Sequence, residues 1–199
     1  MPSIGRLSLL VGGCVVLGTG VGLLLTADLG SDGYSTLVNG IALTTGLSFW
    51  VANLLVSLVF LAAAAGRKVY PGVGTVVQIL LVGVTVTVAL ELMSPPDAWP
   101  ARIALLVGAF PVLAVGIATY LGSNTGAGPA EAAALAWDPP VPFKWTYSVI
   151  QGGGALGGWL LGATIGAGTI AVILILGPLV DVAARLLRVD IHQSASLDD

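Results

Sequence analysis

The residues able to do chemistry in this 199-residue chain are few, and most sit in two glycine-rich interruptions. The second, LGSNTGAGPAEAAAL from Leu121 to Leu135, carries Gly126, Gly128 and Glu131. The first, LGSDGYSTL from Leu29, carries Gly30, Asp32 and Ser35. Two amides in otherwise apolar stretches, Gln78 and Gln151, complete the candidate substrate-binding set. Asp32 fits the cap of a short helix over 33–45. Pro129 suits a first helical position with Gly128 as the cap before it. The N–H groups that follow would form a helix start suited to an anion or a carboxylate. Glu131 has two readings. Its carboxylate could cap the first turn, or it could face a water-filled cavity and bind a cationic group or a coupling proton. The competing reading of the whole break is an interfacial turn with hydrated backbone.

Other chemistries have little to stand on. His192, the single histidine, lies in the polar tail, and Cys14 is the single cysteine. Neither a disulfide, a multi-cysteine metal site nor an acid/base constellation follows from them, so no catalytic residue, metal or cofactor is expected and the chain is not read as an enzyme. The glycine-rich loops lack the Lys-Ser or Lys-Thr of a phosphate cradle. No basic patch offers a nucleic-acid surface.

The elements that must position these residues are apolar. Hydrophobic residues make up 56% of the chain and charged ones 9%, with mean hydropathy +1.01. A soluble domain carries about a quarter charged residues, so most of this surface faces lipid, the first expected partner. Uncharged runs cover Leu7–Ala27, Leu47–Gly66, Gly72–Leu90 and Ile103–Leu121. Although LVGGC at 10–14 resembles a lipoprotein box, the apolar run before it is too short and continues past it. From Trp145 to Val180 no charge appears. One helix of that length would be about 54 Å, nearly twice the hydrocarbon core, so two helices share it with a turn near 163–166.

The chain also repeats itself. Each Leu-Gly break is followed by a Gly-x-Gly-Thr, GVGT at 72–75 and GAGT at 166–169, after 42 positions from Gly30 and 44 from Gly122. The expected fold is an all-α membrane protein of six transmembrane helices. They form two inverted three-helix repeats, 7–92 and 103–189, each with a short broken or interfacial helix. The pairing expected is Gly30 with Gly122 and Thr75 with Thr169, within one membrane domain ending in a polar cytoplasmic tail, 190–199. With both termini cytoplasmic, Arg6, Arg67, Lys68, Lys144, Arg185 and Arg188 lie inside and Arg102 outside, as the positive-inside rule asks. The first break then opens outward and the second inward.

Asn53 and Ser57 share one face of the second span and read as interhelical glue or as substrate-facing groups. Asp181 and Arg185, four apart, read as a surface ion pair. Gly153 with Gly157, and Gly154, Gly158, Gly162 and Gly166, signal close packing inside one chain or a homo-oligomer between two.

The chain resembles the YczE/YyaS/YitT group of small bacterial integral membrane proteins. The resemblance rests on ADLGSDGYSTL (27–37), TTGLSFW (44–50), PGVGT (71–75), LGSNTGAGPAE (121–131), GWLLGATIGAGT (158–169) and LGP (176–178). It spans Arg6 to Leu187. That group tends to have Gly-Pro-Trp-Asp where this chain has Asp32-Gly33-Tyr34-Ser35, and Gly-Pro-Arg-Asp where it has Gly128-Pro129-Ala130-Glu131. A glutamate common in the fifth span is Gln151 here. The resemblance implies a multi-pass membrane protein thought to be a transporter. Inverted repeats with broken helices recur in secondary transporters, with the site between the repeats. The expectation is therefore a small-molecule secondary transporter of unknown substrate in the cell membrane. The alternative is a membrane accessory or assembly protein that transports nothing.

Overall fold

The computed structural model describes residues 3–138 and 140–189, so His192 and the polar tail lie outside the described residues. The described residues form eight helices and no strand. They are α1 (Ile4–Ala27), α2 (Gly33–Thr45), α3 (Phe49–Ala65), α4 (Val73–Leu92), α5 (Trp99–Leu121), α6 (Pro129–Leu135), α7 (Phe143–Leu160) and α8 (Ala167–Leu187). A π-helical turn, Val172–Leu176, widens α8. Four of them, α1, α4, α5 and α8, are long and apolar enough to cross a membrane. The second and fifth expected spans are weaker. Helix α3 is apolar but has 17 residues, and α7 has 18 with a lysine, a glutamine and five glycines in its sequence lowering its mean hydropathy.

Local rules place the short helices. Asp32 Oδ2 accepts from Ser35 N at 2.9 Å and so starts α2, satisfying one of the donors that a helix start leaves over. Gly46, at φ +72, ends it with the left-handed turn that glycine takes at little cost. At the head of α6, Gly128 is the cap and Pro129 fills the first position, where its missing N–H costs nothing.

Helices α1 and α5 form the antiparallel centre. Gly13 lies against Tyr120, Leu17 against Gly116, and Gly20 against Leu113. A Cβ on Gly116 would lie 2.5 Å from Leu17 N, so the backbones meet only because the glycine is there. Leu10, Leu17, Leu24, Val86, Phe110 and Leu113 fill the core around this seam. The outside is equally apolar, with Val59 at 70% and Ile173 at 65% exposure. Against lipid that surface needs no cover, and association rests on close packing more than on apolar burial.

The two short helices each lie beside a helix of the opposite half. Helix α2 runs along α7, with Gly33 on Gln151 and Thr36 on Gly158. Helix α6 meets the end of α3, where Ala64, Ala132 and Ala136 pack. Glycines 154 and 158, expected to allow close approach, receive α2 within the chain.

Both breaks have the same backbone. Asp28 and Asn124 adopt left-handed conformations at φ 51 and 49, followed two residues on by Gly30 at φ 97 and Gly126 at φ 135. Leu29 O accepts from Gly168 N at 2.8 Å, and Thr125 O accepts from Gly74 N at 2.9 Å. Each break is thus seated on the Gly-x-Gly-Thr of the other half. This corrects the expected pairing. Gly126 takes the place of Gly30, because Leu121-Gly122 only ends α5 and the turn comes four residues later. Thr75 lies against Gly126 and Thr169 against Gly30. A second expectation fails: Asp181 and Arg185 do not pair, and an ion pair instead joins Arg102 Nη1 to Asp28 Oδ2 at 3.1 Å.

Candidate functional site

The starts of α2 and α6 are joined by a chain of polar side chains through the apolar interior. Tyr34 N, in the first turn of α2, donates to Gln151 Oε1 at 3.0 Å. Gln151 Nε2 donates to the Tyr147 hydroxyl at 2.8 Å, one turn earlier on α7. Tyr147 in turn makes a long bond to Glu131 Oε1, 3.4 Å, in the first turn of α6. In the other direction the Tyr34 hydroxyl donates to Asn53 Oδ1 at 3.0 Å and lies 2.8 Å from Ser57 Oγ. Asn53 Nδ2 donates onward to Ile79 O at 2.8 Å. Five helices therefore contribute to one network, and most of its members are satisfied by one another, as buried polar groups must be.

Its edge at α6 is different. Glu131 Oε2 and the Gln78 side-chain amide crowd the face of Gly128, where an added Cβ would lie 2.8 Å from Gln78 Nε2. Gly128 is therefore a close-approach position as well as a cap. Gln78 Oε1 and the Tyr120 hydroxyl are buried there with no hydrogen-bond partner.

Of the eight candidate residues, the structure brings Gln78, Gly128, Glu131 and Gln151 into this cluster. Asp32 and Ser35 sit at the adjoining start of α2, bonded to each other through the cap. Gly30 and Gly126 do not join the cluster. They build the break frames, Gly30 against Thr169 and Gly126 against Thr75. Sequence reasoning missed Tyr34, Tyr120 and Tyr147. A tyrosine within an apolar segment, away from the interfacial belts, needs a partner for its hydroxyl, and that was the available signal.

Each break is also tied at its rim. Asp28 accepts from Arg102, and Thr164 donates to its other oxygen. A small depression of about 10 Å³ lies there, lined by Asp28, Gly30, Ser31, Thr36, Asn39 and Thr164 among others. At the end of α6, Arg67 Nε donates to Ala136 O at 3.2 Å, and its guanidinium stacks 4.7 Å over Trp137.

These features define a class: a protein all-helical over its described residues, with four helices of membrane-crossing length and two short helices whose starts are linked by side chains of α7. The chain belongs to a family of unknown function, DUF6198, whose model matches residues 4–185. It is similar to an uncharacterised protein of Haemophilus influenzae, 26% identical over 186 residues, which cover 90% of this chain and 85% of that protein. No solved structure matches. Neither match names the YczE/YyaS/YitT group.

Proposed function

We propose that this protein is a small-molecule secondary transporter of the cell membrane, not an enzyme, related to the YczE/YyaS/YitT group. Its architecture in this reading is six spans in two inverted three-helix repeats, with both termini cytoplasmic. Helices α3 and α7 serve as the remaining two crossings: at about 1.5 Å per residue they reach about 26 Å, and 17 to 25 residues suffice for a span. The antiparallel run of α1 against α5, and the reciprocal seating of the breaks, support the inversion. The observation that carries the function is the polar network linking the starts of α2 and α6. Polar side chains at that depth are costly, and transporters place their sites between repeats where helices are interrupted.

One observation favours the accessory or assembly reading. Tyr34, Asn53 and Ser57 satisfy one another, as interhelical glue does. Counterflow in proteoliposomes across a panel of labelled metabolites separates the two. The transport reading expects at least one solute to accumulate in wild-type liposomes and not with Gln151→Ala. Accumulation of no solute, or of one indifferent to Gln151→Ala, favours the accessory role.

A further inference from the structure

We propose that the Glu131 corner binds a small cation bearing N–H donors, ammonium or a protonated primary amine, and that this is the chemical class the central site takes. Movement of that cation rests on the transport reading above; its binding does not.

Three oxygens at this corner keep hydrogen-bonding capacity that no neighbouring side chain fills. Gln78 Oε1 is buried and unpartnered. Tyr120 is 2% exposed, and its hydroxyl, also unpartnered, lies beside the Gly128 amide and the Glu131 carboxyl. The Glu131 carboxyl has its own backbone N–H and the long Tyr147 bond as donors, while its second oxygen shares the face of Gly128 with Gln78. Burying an ionised carboxylate with no opposite charge is costly. Among the described residues Glu131 makes no ion pair; Asp28 and Arg102 form theirs elsewhere. The Asp32 carboxyl adds a second negative group whose field reaches Glu131.

This surrounding selects among ligands. An anion meets two carboxyls and, among the described side chains, no base. A neutral solute leaves Glu131 uncompensated. A hard divalent metal asks for six or more oxygens, and three converge here. A primary ammonium carries one positive charge and three N–H donors, one for each oxygen. Tyrosine at 120 fits this role better than phenylalanine would, since the position is otherwise an apolar contact to α1.

The test is binding to the purified full-length protein at fixed pH and ionic strength, read as a thermal shift. Methylammonium chloride is the probe, with sodium chloride and tetramethylammonium chloride, which has no N–H, as comparisons. The expected result is a saturable rise with methylammonium alone, at least about tenfold weaker in Glu131→Gln, because hydrogen bonds to charged groups are the strong ones. Tyr120→Phe and Gln78→Leu each weaken it by a smaller factor, and they carry the test if Glu131→Gln does not fold. An equal shift with sodium or tetramethylammonium overturns the proposal. So does an unchanged shift in Glu131→Gln, or stabilisation by acidification with none from methylammonium, which makes Glu131 a proton site. Glu131-dependent binding without solute movement in proteoliposomes removes the transport reading and leaves this inference standing. Transport of a solute indifferent to Glu131→Gln does the reverse.

Discussion

The break before α2 and the break before α6 share a backbone and differ in what they do with it. Both pass through a left-handed residue and a positive-φ glycine, and both give a carbonyl to a Gly-x-Gly-Thr amide of the other half. In the first break the polar groups are occupied locally. Asp28 holds Arg102 and Thr164, Ser31 bonds Thr36, and Asp32 caps α2. In the second, Gly128 stands where Asp32 would, and the acid moves three residues on to Glu131. That shift takes the carboxyl off the cap and puts it into the bundle, next to groups left without partners. The lesson is that one frame can serve as a lock on one side and hold unsatisfied chemistry on the other.

The shared frame is the part whose loss costs most. Gly33→Ala drives a Cβ into the Gln151 carbonyl, and Gly168→Ala drives one into the Gly30 carbonyl. Backbone cannot yield as a side chain tip can, so each variant should lose about 3 kcal/mol, at the upper end of overpacking costs. Gly74→Ala, at the matching seat against Thr125, should lose a similar amount. Gly152→Ala and Gly153→Ala, which meet nothing within 4 Å, should stay within about 0.5 kcal/mol. Detergent melting curves of all five report this, and a tolerant Gly168 beside an intolerant Gly74 would end the claim of equivalence.

A second contrast is between the two acids. Asp32→Ala removes a cap bond and should cost about 1 kcal/mol, with Asp32→Asn recovering most of it. Glu131→Gln should melt at or above the wild-type temperature, since it removes a half-buried carboxylate whose one side-chain hydrogen bond is long. A Glu131→Gln variant as damaged as Asp32→Ala would show that Glu131 is structural too.

The smallest effect belongs to the rim. Asp28 and Arg102 are 38% and 25% exposed, and exposed pairs are worth about 0.2–1 kcal/mol and weaken with salt. Arg102→Gln should therefore lose no more than that in dilute buffer, and the difference should shrink at high salt. A large, salt-independent loss would mean that Arg102 packs rather than pairs.

Much of this was legible in the sequence because it is local. Asp32 as a cap, α2 over 33–45 and Pro129 after Gly128 follow from residue types at fixed offsets. The two helices within 145–180, turning between Leu160 and Ala167, follow from length alone. The paired Leu-Gly and Gly-x-Gly-Thr motifs were legible, but the place of each turn was not. Leu-Gly recurs at 29–30 and 121–122, yet the conformation, not the dipeptide, marks the turn, and φ is not written in the letters. The site was half legible. Gln78, Gln151 and Glu131 stand out as polar residues in apolar runs. Tyr34, Tyr120 and Tyr147 do not, because a tyrosine reads as apolar until the partner of its hydroxyl is known. Asp181 and Arg185 have the right spacing for a pair, but spacing allows a contact without requiring it.

The central claim is that the two breaks are one unit inserted in opposite senses. Asp28 and Asn124 are its equivalent residues, with matching φ and both reachable at the surface. In a Cys14→Ala background, Asp28→Cys and Asn124→Cys can be labelled with a membrane-impermeant maleimide, first in sealed cells and then in everted vesicles. The account predicts that position 28 reacts from outside only and position 124 from the cytoplasmic side only. Reaction of both from the same side would contradict it.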